Sequence, residues 1–205
     1  LWQCSNTACT NLDKTARERT ITGRKAVSDF FGRNKNSTKS IPDDVWGWLC
    51  RTCYQRGRYR ATARAGVQPH EEANWYLMLI RDQVKCLKIW RPEATFTIQL
   101  QAAAEQRYRE YCVALERLGG DRAVAEASVT RPGRQSRKKD QLIEDRGQTL
   151  RMSHAKYIKE NLTGANTSYA DIESVLDWMQ GEVDDGQMLH LAAIEFLIHP
   201  QRDDE

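Results

Sequence analysis

The stretch "WLCRTCYQRGRYRATAR", Trp48 to Arg64, decides how the chain is read. Cys50 and Cys53 stand three apart, and five arginines share the segment with no acidic residue. Cysteines at i and i+3 share one face of a helix. They form a chelating pair if a second pair approaches from elsewhere. Cys4 and Cys9 supply that pair, separated from Cys50 by 40 residues of intervening chain. Zinc takes four soft or borderline ligands at tetrahedral corners, and two short-spaced cysteine pairs deliver them with little additional ordering. The expected centre is one structural Zn2+ on Cys4, Cys9, Cys50 and Cys53. Two other readings stay open: four buried free thiols, or a histidine completing the site. Cys86 and Cys112 lie on helical patterns among apolar neighbours, where a buried free cysteine is common.

Working outward, "IPDDVWGWLCRTCYQRGRYRATAR" predicts one helix over 43–64. Pro42 suits its entry, and Asp43 and Asp44 favour the positive end of its dipole. On a wheel of about 100° per residue, Val45, Trp46, Leu49, Cys50 and Cys53 gather on the core and metal side. Arg51, Gln55, Arg58 and Thr62 gather opposite, flanked by Trp48 and Tyr59. Arg pairs bidentately with guanine and Gln with adenine in a groove that admits a helix. Arg51, Gln55, Arg58 and Thr62 are therefore the expected base-facing set. Arg56, Arg60 and Arg64 are expected to emerge past the metal toward phosphates, joined by Arg24, Lys25, Arg33, Lys35 and Lys39 from the preceding loop. A solvated helix face ordinarily mixes both signs of charge, which this segment does not.

The chain has 205 residues, 40% hydrophobic and 29% charged, enough for one or two domains with a core. No apolar run approaches the length of a membrane span. The chain opens on "LWQC" and closes on "QRDDE", so it reads as cut from something longer. Its formal charge of +3 is unevenly spread. Residues 1–68 carry 13 basic and 5 acidic side chains, a net of +8. Residues 160–205 carry 1 and 11, a net of −10. A basic front suits a polyanion, and an acidic tail suits a separate protein partner or the basic front itself.

Further along, "HEEANWYLMLIRDQVKCLKIW" has helical period, with Ala73, Tyr76, Leu77, Ile80, Val84 and Leu87 on one face. "TFTIQLQAAAEQRYREYCVALERLGG" predicts a second long helix closed by Gly119 and Gly120, the two pairing as a hairpin. Residues 128–147 have no apolar period and read as a basic linker or arm. Three short helices are expected after it, on "SHAKYIKENLTG", "SYADIESVLDWMQG" and "DDGQMLHLAAIEFLIHP". The expected fold is mainly α: a zinc-stabilised module with short strands or loops over 1–68, a helical hairpin packed on it over 69–127, the arm over 128–147, and an acidic helical region over 148–205. The histidines are His70, His154, His190 and His199; they form no metalloprotease pair, and no phosphate loop or nucleophile elbow is present. No catalysis and no small-molecule substrate are expected.

Cys4-x4-Cys9 followed by Cys50-x2-Cys53 resembles treble-clef zinc fingers, broadly of the GATA type: a knuckle, strands or loops, then a helix carrying the second pair. That family has a two-residue first spacer and a much shorter middle than this chain. The stretch from Gly23 to Arg60 is also similar to nuclear proteins of filamentous fungi. The resemblance implies a DNA-binding protein of the nucleus, acting in transcription or chromatin on double-stranded DNA. A protein-interaction scaffold without nucleic-acid binding, or an RNA-binding module, are the alternatives.

Overall fold

The computed structural model describes residues 4–6, 9, 23–33, 35–64, 70–130, 134–135, 142–143 and 150–199, with the backbone alone for 62–64, 134–135 and 142–143. The elements in chain order are β1 (Gly23–Lys25), a 3-10 turn (Ser28–Phe31), α1 (Asn36–Lys39), β2 (Trp48–Cys50), α2 (Arg51–Arg64), α3 (Glu71–Trp90) and β3 (Phe96–Leu100). There follow α4 (Ala102–Arg117), α5 (Arg122–Val129), β4 (Arg134–Gln135), β5 (Leu142–Ile143), α6 (Met152–Tyr157) running into a π turn (Ile158–Leu162), β6 (Gly164–Thr167), α7 (Tyr169–Asp184) and β7 (Ile194–Ile198). The expectation of a mainly helical chain with a cysteine cluster near its start is met. Strand β1 pairs antiparallel with β2, Gly23 facing Cys50 and Lys25 facing Trp48. A three-stranded sheet has the order β6-β3-β7.

Three expected helices differ in the structure. The helix expected over 43–64 begins at Arg51, because Trp48, Leu49 and Cys50 are claimed by the backbone ladder to β1. Phe96–Leu100, expected as the start of a helix, is strand β3, its buried Phe96, Ile98 and Leu100 alternating with half-buried Thr97 and Gln99. Alternation of that kind is the period of a strand, not of a helix. Ile194–Ile198 alternates in the same way and forms β7 in place of a terminal helix. Helix α5 is additional to the expected set. The Asp121 side chain caps it, accepting from the Val124 amide at 3.1 Å. The basic arm over 128–147 lies largely outside the described residues; within it β4 and β5 pair antiparallel.

Two compact units divide the chain differently from the four consecutive segments expected. One gathers Leu1–Thr97, Ala165–Leu191 and Phe196–Glu205, and the other Ile98–Gly164 and Ala192–Glu195. In the first, α3 packs against both α2 and α7. Leu77, Ile80, Val84 and Leu87 of α3 and Ile172, Leu176 and Met179 of α7 are buried. Arg81 meets Asp177 at 2.9 Å, and Gln180 donates to Asn74 at 2.8 Å. The same unit buries Phe31 between Trp46 and Phe196, with centroids 6.2 and 5.8 Å away. Helix α7 opens on a capping box in which Ser168 and Asp171 satisfy each other's backbone amides. In the second unit α4 packs on α5 and α6, around buried Ala104, Tyr111, Ala125 and Met152. The guanidinium of Arg107 is buried there too and donates to the Leu150 carbonyl at 2.8 Å.

Candidate metal centre and basic surface

Hairpin β1–β2 and the first turn of α2 create the centre. Cys50 is the last residue of β2 and Cys53 lies in the first turn of α2, so the strand-to-helix junction presents both thiols together. Cys4 is brought alongside by a bridge to Trp48, with the Ser5 amide donating to the Trp48 carbonyl at 2.7 Å. Cys9 is held nearby, its amide donating to the Asn6 carbonyl at 3.0 Å. The four sulfurs all lie within 4.8 Å of one another. Cys9 and Cys50 sulfurs are 3.7 Å apart. That is far beyond an S–S bond of about 2.05 Å. It matches the separation of roughly 3.8 Å between two sulfurs each about 2.3 Å from a tetrahedral zinc. Cysteine sulfur is the only donor type in the group, and the four residues can hold one metal ion.

Several N–H groups of the described residues point at these sulfurs. The Cys50 amide donates to Cys4 and the Cys53 amide to Cys50, both at 3.4 Å, and the Asn6 side-chain amide donates to Cys53 at 3.3 Å. Such donors favour the thiolate, while burial opposes it. Burial wins in the metal-free chain: it raises the Cys4 thiol, and pushes Cys53 up to about 12 against the help of Asn6. A bound cation reverses that balance, since thiolate is the ligating form. Leu49 shares the buried cluster, and Ala26, Trp48, Tyr54, Trp75 and Leu79 pack against it.

The cysteine cluster also positions α2. Among its described residues Thr52, Cys53, Tyr54 and Gly57 are half-buried and Ala61 is buried, and Gly57 abuts the Trp75 ring of α3. This packing turns the outward face of α2 away from the one drawn on the wheel over residues 43–64. Tyr59, 75% exposed, is the outermost large side chain. Gln55, Arg56 and Arg60 are exposed around it. Arg51 is exposed near the helix start, and Arg58 comes within 3.5 Å of Glu72 on α3. The side chains of Thr62 and Arg64 lie outside the described residues.

The basic loop is tied to the hairpin. Lys25 reaches Asp43 at 2.9 Å and stands over the Trp46 and Trp48 rings, 4.9 and 5.4 Å from their centroids. Arg24 covers the Tyr54 ring at 5.4 Å, and Arg33 lies 3.6 Å from Asp29. Lys39 is exposed and Lys35 half-buried. Sequence alone does not show these aromatic and acidic partners, and it presents the loop cations as uniformly free for phosphate. The pairing of Lys25 with its strand neighbour Trp48 carries that information only once the strand register is known. Comparison with protein-family models, curated proteins and solved structures returns no match. Among the described residues no helix is long and apolar enough to cross a membrane.

Proposed function

We propose that the first unit is a zinc-stabilised module, treble-clef-like in its order of knuckle, hairpin and helix, that binds double-stranded DNA through α2 as part of a nuclear transcription or chromatin regulator. The observation that carries this reading is the separation of faces on α2. Cysteines and Gly57 hold one side down, while Arg51, Gln55, Arg56, Tyr59 and Arg60 stand exposed on the rest with no acidic residue in the helix. A helix so held fits the major groove, where Arg and Gln read base edges. Four thiolates leave zinc no open position for water, so the metal's role is structural and the module binds without catalysing. The acidic α7 belongs to the fold of this unit through Arg81 and Asn74, and its exposed acids remain a surface for a protein partner.

A gel-shift titration across salt concentrations tests the reading. Removing one phosphate-binding cation should flatten the slope of log affinity against log salt by about one. Arg56→Ala and Arg60→Ala should each do this on every duplex. Gln55→Ala should cost roughly 1–3 kcal/mol on a preferred site alone. Zinc-loaded protein that binds no duplex at low salt refutes the proposal and leaves the scaffold reading in its place.

A further inference from the structure

Beside α2, on the other side of the hairpin, lies a cleft of about 590 Å³ lined by Arg24, Lys25, Ser28, Arg33, Lys39, Trp48 and Tyr54, with Asp29 and Thr38 also in its wall. Ligand sites for small molecules span roughly 300–1,000 Å³, so the cleft is the size for an organic ligand and not for a lone inorganic ion. Four cations against one carboxylate make it anion-attracting. Two of the cations are already placed: Arg24 rests on Tyr54 and Lys25 on Trp48. Side chains held this way have less freedom to lose when they meet an anion. The loop that carries the remaining cations is fixed as well. Thr38 donates to the carbonyls of Phe31 and Gly32, and Gly32 takes a left-handed φ of 68° where a side chain would strike Leu197.

We propose that this cleft binds a nucleoside phosphate: the phosphate on the Arg24, Arg33 and Lys39 cations, with the Ser28 hydroxyl in reach, and the base along the exposed edges of the Trp48 and Tyr54 rings, whose faces Lys25 and Arg24 cover. Aromatic walls beside a basic lining suit a base joined to a phosphate, because contact with an aromatic side chain is indifferent to sequence and cations hold the backbone. Asp29 faces Arg33 and offsets part of its charge, which leaves Arg24 and Lys39 as the principal phosphate ligands. The nucleotide has two sources, a free mononucleotide or the phosphorylated end of a strand lodged while α2 lies on the neighbouring duplex. The second is favoured by continuity: Tyr54 is three residues from Arg51 and four from Arg58, so the basic surface of α2 runs to the lip of the cleft. The cleft uses residues other than those of the outward face of α2; only the strand-end source rests on the proposed duplex binding.

The experiment is calorimetric titration of zinc-loaded full chain with adenosine monophosphate, with inorganic phosphate, and with single-stranded oligonucleotides carrying a 5′-phosphate or a 5′-hydroxyl. One-to-one binding of the mononucleotide, tighter than inorganic phosphate, is expected. Binding weakened about tenfold or more in Arg24→Gln/Lys39→Gln, and retained in Arg24→Lys/Lys39→Arg, identifies the cations as the phosphate ligands. Both side chains are exposed, and unchanged zinc content and melting temperature in the variants show that the module is intact. A phosphorylated strand that outcompetes the mononucleotide marks a strand end as the source; equal affinity marks the free nucleotide. No binding of either, unaltered binding in the Gln variant, or tighter binding of a phosphoserine peptide than of the mononucleotide overturns the proposal. Duplex binding measured in parallel with Gln55→Ala reports on α2 alone, so either site can fail without the other.

Discussion

Gly57 sets two effects of opposite sign against each other, and the structure decides between them. In an exposed helix interior, replacing glycine by alanine stabilises by about 1 kcal/mol through backbone entropy. Gly57 of α2, however, faces the indole of Trp75: a Cβ there would lie 2.8 Å from Cζ2 and 3.0 Å from Cε2 and Nε1. Contacts that short require one partner to move. Trp75 is itself wedged between Tyr54 and Tyr76, at centroid distances of 5.7 and 4.9 Å, so the displacement passes into the packing around Cys53. Overfilling a packed site costs roughly 1–3 kcal/mol. Subtracting the helix gain leaves Gly57→Ala destabilising by about 1 kcal/mol. In a chain of this size that is a melting-temperature drop of about 2–4 °C. Urea denaturation of the zinc-loaded protein gives the free energy directly. The same substitution made in a Trp75→Leu background, where the ring is gone, should become neutral or stabilising. Stabilisation by Gly57→Ala in the wild-type background, or an identical effect in both backgrounds, refutes the assignment of α2–α3 packing to this contact.

Cys50→Ser should abolish stoichiometric zinc and melt the hairpin–helix junction, read by metal analysis and by loss of far-ultraviolet ellipticity; a variant that keeps one equivalent of zinc contradicts the four-cysteine centre. Zinc affinity should rise with pH, because burial keeps protons on Cys4 and Cys53 in the metal-free chain and the metal must displace them. Each displaced proton corresponds to about 1.4 kcal/mol per pH unit. The stabilisation by metal is thus present at high pH and lost as pH falls, which a chelator competition across neutral pH measures; a flat profile rejects the mechanism. Asp171 has its carboxyl held below the ordinary value by the Ser168 backbone amide and hydroxyl. Its folded pKa is depressed, so its contribution is present above the unfolded value and disappears as pH falls through the folded one. Asp171→Asn should cost about 0.5–1 kcal/mol at neutral pH and flatten the acid limb of the stability profile, and equal losses at pH 7 and in acid would show that the capping box acts without its charge.

The parts of the molecule legible in the sequence are those whose chemistry or period is unmistakable. Four cysteines in two close pairs have few uses, and they converge in space. Helix α3 shows one clean apolar face over five turns, and α7 shows both its face and its Ser168 start. Short apolar runs are harder. "IEFLI" fits helical and strand periods alike over five residues, while "FTIQL" alternates as a strand does but runs straight into the helix-forming "QAAAEQRYREY", which hides the boundary. The orientation of α2 is hidden for a related reason. Its outward face depends on where helix geometry begins, and the first three residues of the quoted stretch belong to the ladder with Gly23–Lys25. A wheel drawn through strand residues rotates every later assignment, so it does not show that Arg58, exposed as expected, also lies within reach of Glu72.

The first unit is interrupted: the chain leaves it after Thr97 and returns at Ala165. Synthesis therefore delivers its parts at two times. The cysteine centre is complete once Cys53 has emerged, a closure over about 50 residues that a single metal ion can lock. Helix α3 is made next, yet the helix that covers its second face, α7, begins at Tyr169, far along the chain from the end of α3 at Trp90. Throughout that interval α3 is sheltered only by the chain made before it, which leaves apolar surface of the kind that draws nascent chains into aggregation or onto chaperones. Capture of a metal ion by the four cysteines would fix the hairpin and α2 before α3 is made, so metal supply during synthesis, and not only the affinity of the finished protein, should bear on the yield of folded chains.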